Sequence, residues 1–414
     1  MQSKLLKLNK EKSKGLPARR DFLKKAGLGA VALGLSQFGC RGQRAEGPVI
    51  TDFEEVQGFE EEPEVHDPSY GWEPVSDRRI RVGVVGIFGA TFGFQDHPNV
   101  ELVGISDLIP ERRDRLAEAT RCKKTYASLE DMVKDDSIEA IFIGTDAPSH
   151  ARHTLEVLRH GKHAAVAVPA IFGELEDAGR LVEEVKRSGL KYMMFETSNY
   201  RANLFAMHRI YNARGFGKLV YTEGEYYHYF GEPYPSYKDW RVGLPPQWYP
   251  THSNAYYIGA TNGHFTEVSC LGLPSIVPHL QAENNIYKNP FGTEIAMFRT
   301  GEGGMARMAV SWDTPGFGVE TGRCRGQRGS FTETYQGLEK ELPGINRPPL
   351  PPGVRPGGHG GSHGHLTNEF ILSILEDRDP WIDINMSLNM TVPGLIAHKS
   401  ALKGGEWMKI PRYV

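Results

Sequence analysis

Residues 79–199 show short apolar runs that alternate with stretches of mixed apolar and polar residues. The apolar runs are continuous, which is typical of strands that are covered on both faces of a sheet. The mixed stretches have the spacing of amphipathic helices, and the first of them begins with Pro110. The predicted strands are 80–85, 100–106, 140–144, 163–168 and 190–195. The predicted helices are 110–120, 149–160 and 174–187, with another helix opened by a capping box at 128–131.

This alternation predicts an α/β fold in which an N-terminal Rossmann domain, 79–199, is built on a doubly wound parallel sheet. After Tyr200 the runs are strands with polar connections, so we expect a C-terminal α+β domain, 200–414, with a large, mostly antiparallel open sheet. Its predicted strands are 218–228, 293–299, 305–312 and 323–331, and its predicted helices are 202–212, 365–376 and 386–403. Loops as long as 229–250 and 343–361 are usually functional or disordered.

The first 40 residues have the order of features of a twin-arginine export signal. A basic stretch leads to Arg19 and Arg20, Phe22 follows, and small and apolar residues continue to Gly39. This run is too short for a permanent membrane span. We therefore expect a periplasmic protein, with attachment to the membrane only through a lipid on Cys40. Residues 41–78 are rich in glutamate and proline, which predicts an extended acidic tether.

Composition narrows the class of partner. The chain of 414 residues has a formal net charge of −3, which gives no reason to expect nucleic acid as a partner. Its 4 cysteines lack zinc or redox spacing and are too few for a disulfide framework. With 39% hydrophobic and 24% charged residues, the chain is long enough for two cored domains after its leader.

A glycine-rich turn follows the first predicted strand and is typical of a dinucleotide-binding site. It runs from Gly86 through Gly89 to Gly93, and its backbone N–H groups at the start of a predicted helix could meet a pyrophosphate. It departs from G-x-G-x-x-G because Phe88 stands where the second glycine is expected. Asp107 ends the second strand, where an acid binds ribose hydroxyls and repels a 2′-phosphate, which favours NAD over NADP. The alternative role of Asp107 is a helix or turn cap.

The order of motifs from residue 79 to the C-terminus resembles the glucose–fructose oxidoreductase and inositol dehydrogenase (Gfo/Idh/MocA) family. The segments that carry the resemblance are R-V-G-V-V-G, I-S-D-L, I-G-T-D-A-P-S-H-A-R-H and H-G-K-H-A-A-V-A-V-P-A. The resemblance implies that Thr145 and His150 lie beside the cofactor and that the segment ending in Pro169 passes under the nicotinamide. Most dehydrogenases of the family have Glu-Lys before this proline. This chain has Ala167-Val168, so the usual catalytic lysine is absent.

Three later segments contain groups that could replace the missing lysine. They are M-M-F-E-T-S-N-Y-R, with Glu196 and Tyr200; Y-P-T-H-S-N-A, with Tyr249 and His252; and G-G-H-G-G-S-H-G-H, whose first histidine is His359. Together with V-P-A, these motifs resemble the NAD-dependent α-N-acetylgalactosaminidase branch of the same superfamily. That resemblance implies that Tyr200, Tyr249 and His252 act on the sugar.

The chemistry of these side chains agrees with such roles and also allows plainer ones. Histidine can take and return a proton near working pH, whereas tyrosine is better suited to donating a hydrogen bond. The alternatives are a helix cap for His252, a buried structural Tyr200, and a metal site for the histidines around His359. Trp240 could stack on a sugar, and Arg241 could bind a carboxylate or hydroxyl. On the strand 218–228, either the glutamates at 223 and 225 or the pair at 226 and 228 can face the site.

The predicted site therefore includes residues from both predicted domains. The predicted catalytic residues are Tyr200, Tyr249 and His252, and the predicted substrate contacts are His228, Trp240, Arg241 and His359. The predicted cofactor contacts are Gly86, Ile87, Phe88, Gly89, Asp107, Arg112, Thr145, His150, Val168, Pro169 and Glu196. No metal is predicted.

The leading functional hypothesis is an NAD-dependent oxidoreductase that acts on a hydroxyl of a sugar or glycoside, as a homo-oligomer with tightly bound, recycled NAD. Two alternatives remain open. One is an NAD-dependent glycosidase that works by oxidation, elimination, hydration and reduction without net redox change. The other is a sugar-binding lipoprotein without catalysis, which the absent lysine and the altered glycine turn favour.

Overall fold

The computed structural model describes residues 69–316, 318–342 and 344–414. The predicted signal peptide, with Cys40, and most of the predicted tether lie outside the described residues. No helix of the described part is long and apolar enough to cross a membrane.

Six strands form a parallel sheet in the order β3-β2-β1-β4-β5-β6. They are β1 (Ile80–Val85), β2 (Val100–Ser106), β3 (Thr125–Tyr126), β4 (Ala140–Ile143), β5 (His163–Val166) and β6 (Tyr192–Met194). The connecting helices are α1 (Pro110–Thr120), α2 (Leu129–Met132), α3 (His150–Arg159) and α4 (Glu176–Ser188). All four residues of β4 are buried, as a strand covered on both faces requires. The strand order reverses between β1 and β4, and ligands of such sheets bind at that point, beyond the carboxyl ends of the strands.

A second sheet of eight strands has the order β13-β12-β11-β7-β10-β9-β8-β14. Its strands are β7 (Leu219–Tyr227), β8 (Phe265–Pro274), β9 (Phe291–Thr300), β10 (Met305–Ser311), β11 (Val319–Gly326), β12 (Gly329–Phe331), β13 (Tyr335–Gly337) and β14 (Met408–Lys409). Strands β7 and β10 run parallel, and the other neighbouring pairs are antiparallel. The remaining helices are α5 (Ala202–Asn212), α6 (Thr251–Thr261), α7 (His363–Leu375) and α8 (Ile384–Leu402), and one irregular helical turn, Gly358–Gly361, precedes α7. The predicted fold class is confirmed, whereas the domain boundary at 199/200 stays a prediction.

Helix α6 lies unusually close to the second sheet, and two paired glycines allow this. Gly224 of β7 and Gly322 of β11 are register partners. A Cβ at Gly224 would lie 2.1 Å from the carbonyl oxygen of Ser253, and one at Gly322 would lie 2.3 Å from the ring of Tyr256. Since real Cβ atoms do not approach other atoms so closely, larger residues would push α6 outward. The two glycines thereby set the depth of the helix that carries His252.

Several elements differ from the sequence prediction: strands β3, β8, β13 and β14 were not predicted, and three further differences affect the turn at Gly86, the strand 323–331 and helix α6. The turn after Gly86 continues as a 3-10 helix, Ile87–Phe92, rather than as an α-helix, so a full helix dipole is not available there. The predicted strand 323–331 is two strands, β11 and β12, because the chain reverses at residues 327–328. Helix α6 was not predicted: all its 11 residues are buried, so it has no polar face to produce a helical period.

Candidate active site

A cavity of about 790 Å³ opens beyond the carboxyl ends of β1, β2 and β4. Its opposite wall is formed by β7, the loop 229–250, the first turn of α6 and His359. The predicted site residues that line it are Gly86, Ile87, Phe88, Asp107, Arg112, Thr145, His150, Val168, His228, Trp240, Arg241, Tyr249, His252 and His359. The cavity therefore brings together groups that are far apart in the sequence.

The turn at Gly86 and the carboxylate of Asp107 form the end of the cavity near β1 and β2. Gly86 has φ 88°, and a Cβ there would lie 2.2 Å from the carbonyl oxygen of Gly144, so only glycine fits. The Asp107 carboxylate accepts hydrogen bonds from the backbone N–H groups of Ile87 and Ile109, both at 3.0 Å. Asp107 thus caps the turn, and each oxygen keeps a second lone pair for a ribose hydroxyl.

Two predicted cofactor contacts lie behind this wall and support it. Gly89 is buried, and a Cβ there would lie 2.4 Å from the side chain of Val84, so its role is close packing on the sheet. The carbonyl oxygen of Pro169 lies 2.8 Å from Nδ1 of the buried His150. Gly89 and Pro169 are not among the residues that line the cavity, and their role as cofactor contacts stays a prediction.

His252 lies in the first turn of α6, and its imidazole is held by a buried carboxylate. Nδ1–H of His252 donates to Oε1 of Glu196 at 2.7 Å, and neither side chain is more than 4% exposed. Because a carboxylate only accepts, Nδ1 carries the proton and neutral His252 keeps a free lone pair on Nε2. Burial alone would lower the pKa of His252, but the nearby carboxylates of Glu196 and Glu320 raise it. The residue at the N-cap is Pro250, so the helix-cap alternative for His252 is wrong.

Glu196 was predicted to contact the cofactor, and the structure corrects this: its side chain is fully buried against His252 and does not line the cavity. With Glu320, these residues form a group with metal-ligand chemistry among the described residues. However, Glu320 is already neutralised by Arg201, whose Nε lies 2.9 Å from it, and it accepts a hydrogen bond from Ser198. Because one carboxylate is paired with Arg201 and the other is hydrogen-bonded to His252, these three residues suit a hydrogen-bonded histidine better than a bound metal cation.

His359 also lines the cavity, and a chain of hydrogen bonds determines its tautomer. Nδ1 of His363 lies 3.1 Å from the carbonyl oxygen of Thr91, so that nitrogen must be the donor. Nε2 of His363 then accepts from Nδ1–H of His359 at 2.8 Å, which leaves Nε2 of His359 as an acceptor. Burial and the charge of His252 lower the pKa of His359 to about 4. The imidazoles of His252 and His359, 6.2 Å apart between ring centroids, therefore have opposite pKa shifts.

Tyrosines surround His252, although not all of the predicted ones. Tyr249 lines the cavity with its ring 5.7 Å from that of His252, and burial raises its pKa. Tyr226, from β7, lies closer, at 4.6 Å between ring centroids. Tyr200 does not line the cavity: its buried ring is stacked on His365 at 5.6 Å. The structural alternative for Tyr200 fits its position, and we do not retain it as a catalytic candidate.

Residues 80–196 match the model of the Gfo/Idh/MocA family, described as an oxidoreductase family with an NAD-binding Rossmann fold. This part of the chain is therefore similar to the Gfo/Idh/MocA family. The match confirms the resemblance inferred from the motifs and the prediction of NAD as cofactor.

Curated relatives extend the comparison beyond the Gfo/Idh/MocA region. A glycosyl hydrolase family 109 protein of Porphyromonas gingivalis is 26% identical over 177 residues, which cover 39% of this chain and 38% of that protein. Glycosyl hydrolase family 109 protein 2 of Akkermansia muciniphila is 27% identical over 312 residues, which cover 66% of this chain and 64% of that protein. The chain thus spans less than two fifths of the length of the first curated relatives that it matches.

Solved structures of dehydrogenases have the same fold at low identity. Apo scyllo-inositol dehydrogenase from Lactobacillus casei superposes with a TM-score of 0.64 at 15% identity, covering 81% of this chain and 99% of that chain. A levoglucosan dehydrogenase in complex with NADH and levoglucosan gives a TM-score of 0.64 at 16% identity, covering 81% and 100%. These similarities concern the fold alone, that is, the arrangement of the two sheets.

The sequence analysis missed Glu320 and left Tyr226 as one of two choices. Glu320 lies on β11 on the same face as the buried Gly322 and Cys324, so a charge on the inward face was the available signal. Tyr226 was named only as one of two choices on β7. The structure decides between them, because Tyr226 lines the cavity whereas the opposite face carries Glu223, which pairs with Arg307 at 2.9 Å.

Proposed function

We propose that this protein is an NAD-dependent enzyme that oxidises a hydroxyl of a sugar or glycoside and keeps its cofactor between turnovers. The observation that carries the proposal is that His252, held by Glu196, opens into the same cavity as Gly86, Asp107 and Val168. The Gfo/Idh/MocA match and the glycosyl hydrolase family 109 relatives support a sugar as substrate.

The cavity fits the cofactor because Gly86 leaves room that a Cβ would fill and Asp107 ends β2. Bound NAD would supply a hydride acceptor. Neutral His252 would take the hydroxyl proton on Nε2, and Glu196 would stabilise the imidazolium that forms. Val168, at the position of the usual lysine, cannot exchange a proton, so this task passes to the histidine.

Loss of His252 tests this assignment. His252→Gln should lower kcat by roughly 10²–10⁴-fold, the usual contribution of an acid–base group, while mass spectrometry still finds NAD in the purified protein. His398→Gln is a matched control, because His398 is also buried with its Nδ1 2.7 Å from a glutamate, Glu294, but does not line the cavity. Full activity of the His252 variant would contradict the proposal. Bound NAD without turnover of any sugar would favour the non-catalytic alternative.

A second candidate, the redox-neutral glycosidase, is favoured by the pair of imidazoles with opposite pKa shifts. Oxidation of a sugar hydroxyl acidifies the neighbouring C–H bond, and neutral His359 is suited to remove that proton. Tyr249, whose raised pKa keeps it protonated, is suited to donate to the leaving glycosidic oxygen. Water would then add to the unsaturated ketone, and bound NAD would supply the hydride that restores the hydroxyl. This route needs no pair of carboxylates flanking the bond.

Turnover in deuterated water separates the two candidates. A glycosidase would release sugar with solvent deuterium on the carbon beside the oxidised centre, and the absorbance of reduced cofactor would stay flat. A plain dehydrogenase would form reduced cofactor in proportion to product, without exchange.

We further propose export by the twin-arginine route, attachment through Cys40 and assembly as a homo-oligomer. Export would be tested by Arg19→Lys with Arg20→Lys, which should leave the protein in the cytoplasm. Normal export of that double variant would contradict the proposed leader, labelling with a radioactive lipid precursor would test Cys40, and light scattering would give the oligomeric state.

A further inference from the structure

Arg241 is a cation of the cavity that has aromatic neighbours but no anionic partner. Its Cζ lies 4.2 Å from the ring centroid of Trp240, 5.3 Å from that of Tyr249 and 5.4 Å from that of Tyr234. Among the described residues, no carboxylate forms an ion pair with it. By contrast Arg152, which also lines the cavity, is paired with Glu130 at 2.7 Å.

Among the described residues, the cavity wall around Arg241 carries no carboxylate. The acidic residues that line the cavity are Asp107, Glu130 and Asp146, and all of them come from the Rossmann side. The charged or titratable cavity residues of the opposite wall, tyrosines aside, are His228, Lys238, Arg241, His252 and His359. Burial lowers the pKa of His228, and the charge of Arg241 lowers it further. Behind this wall, Glu196 and Glu320 are engaged with His252 and Arg201.

The backbone before Arg241 adopts a conformation that few residues tolerate. Lys238 and Asp239 have φ of 51° and 54°, in the left-handed region, and they are consecutive non-glycine residues. Such strain persists where the surrounding structure requires it, and it concentrates at ligand sites. Here it directs Trp240 and Arg241 into the cavity, next to Tyr249.

We propose that the substrate is an acidic sugar, a glycoside that carries a carboxylate or sulfate, and that Arg241 binds this anion. The inference rests on the proposed function and names the substrate class of the same site. The planar guanidinium matches a carboxylate with two parallel N–H donors, and Trp240 holds it by a cation–π contact. Tyr249 places the anion beside His252, so the charged group also orients the sugar for proton transfer.

The cofactor pyrophosphate is the other anion that Arg241 could meet, and binding measurements on full-length protein distinguish the two. Calorimetry with NAD present would compare sodium glucuronate with glucose, and a separate titration would give the affinity for NAD. We expect glucuronate to bind more tightly than glucose in the wild type and to weaken with added salt. Arg241→Gln should weaken glucuronate binding by about 10- to 150-fold, the range of a hydrogen bond to a charged group, and leave the binding of glucose and NAD unchanged.

Arg241→Lys serves as the matched variant, because it keeps the charge but loses the two parallel N–H donors. It should retain only part of the affinity for glucuronate. The inference is overturned if glucose and glucuronate bind alike in the wild type, or if Arg241→Gln weakens NAD as much as glucuronate. In both cases sugar oxidation with NAD, and so the proposed function, would stand. Failure of every sugar to bind, with NAD bound normally, would contradict the proposed function as well.

Discussion

Replacement of Glu196 by glutamine is the perturbation that tests the site most directly. The glutamine side chain would retain an acceptor for Nδ1–H of His252 and nearly the same volume, but the change removes a buried negative charge 2.7 Å from the imidazole. A hydrogen bond to a charged group is worth about 1.5–3 kcal/mol. We therefore expect kcat/KM on the pH plateau to fall roughly 10- to 150-fold, because the imidazolium formed during proton transfer loses its counter-charge.

The pH profile gives a readout that a purely structural role would not move. His252 must be neutral to accept a proton, so kcat/KM falls at acidic pH. Since Glu196 raises the pKa of His252, its neutralisation should shift this acidic limb to lower pH. The same raised pKa contributes stability that is fully present below the unfolded pKa of about 6.5 and is lost as pH rises through the folded pKa. As the pH rises through the folded pKa, the difference in Tm between the wild type and the Glu196→Gln variant should therefore shrink.

Glu294→Gln is the matched control for this experiment. Glu294 and His398 form a second buried pair with the same 2.7 Å distance, and neither lines the cavity. We expect Glu294→Gln to lower the Tm without moving the pH midpoint of kcat/KM. An unchanged acidic limb in the Glu196 variant, or an equal shift in the Glu294 variant, would refute the assignment of His252 as base.

Three further results are expected. Asp107→Ala should weaken NAD and reduce discrimination against NADP, because the acid that repels a 2′-phosphate is lost; calorimetry showing that the wild type prefers NADP would contradict this. Tyr249→Phe should lower kcat, whereas Tyr200→Phe should alter only the Tm, because Tyr200 lies behind the cavity wall; equal losses of kcat would contradict the separation. Gly224→Ala should lower the free energy of unfolding by about 1–3 kcal/mol, because the added methyl group overpacks against Ser253. An unchanged urea unfolding curve would contradict this and would show that α6 can shift without cost.

The Rossmann part was readable from the sequence because its signals are local. Strand β4 is buried throughout, β1 at all residues but Arg81, and β2 over its last three residues, so each leaves a mainly apolar run that ends near its predicted boundary. The capping box at Ser128 also acts within one turn, and its side chain accepts from the N–H of Asp131 at 3.2 Å. Interactions that span a few residues leave a pattern in the sequence whatever surrounds them.

The assembly of the site was decided by tertiary structure alone. The sequence indicated that Glu196, His252 and His359 have suitable chemistry, but residues from three distant segments carry no sign of which atoms will meet. Burial then determined the roles: Glu196 became the partner of His252, and Tyr200 became part of the core. The distance of α6 from the second sheet depends on Gly224 and Gly322, which lie on that sheet and face the helix. Because side-chain charge and pKa depend on neighbours in space, the proton chemistry of this protein exists only in its folded state.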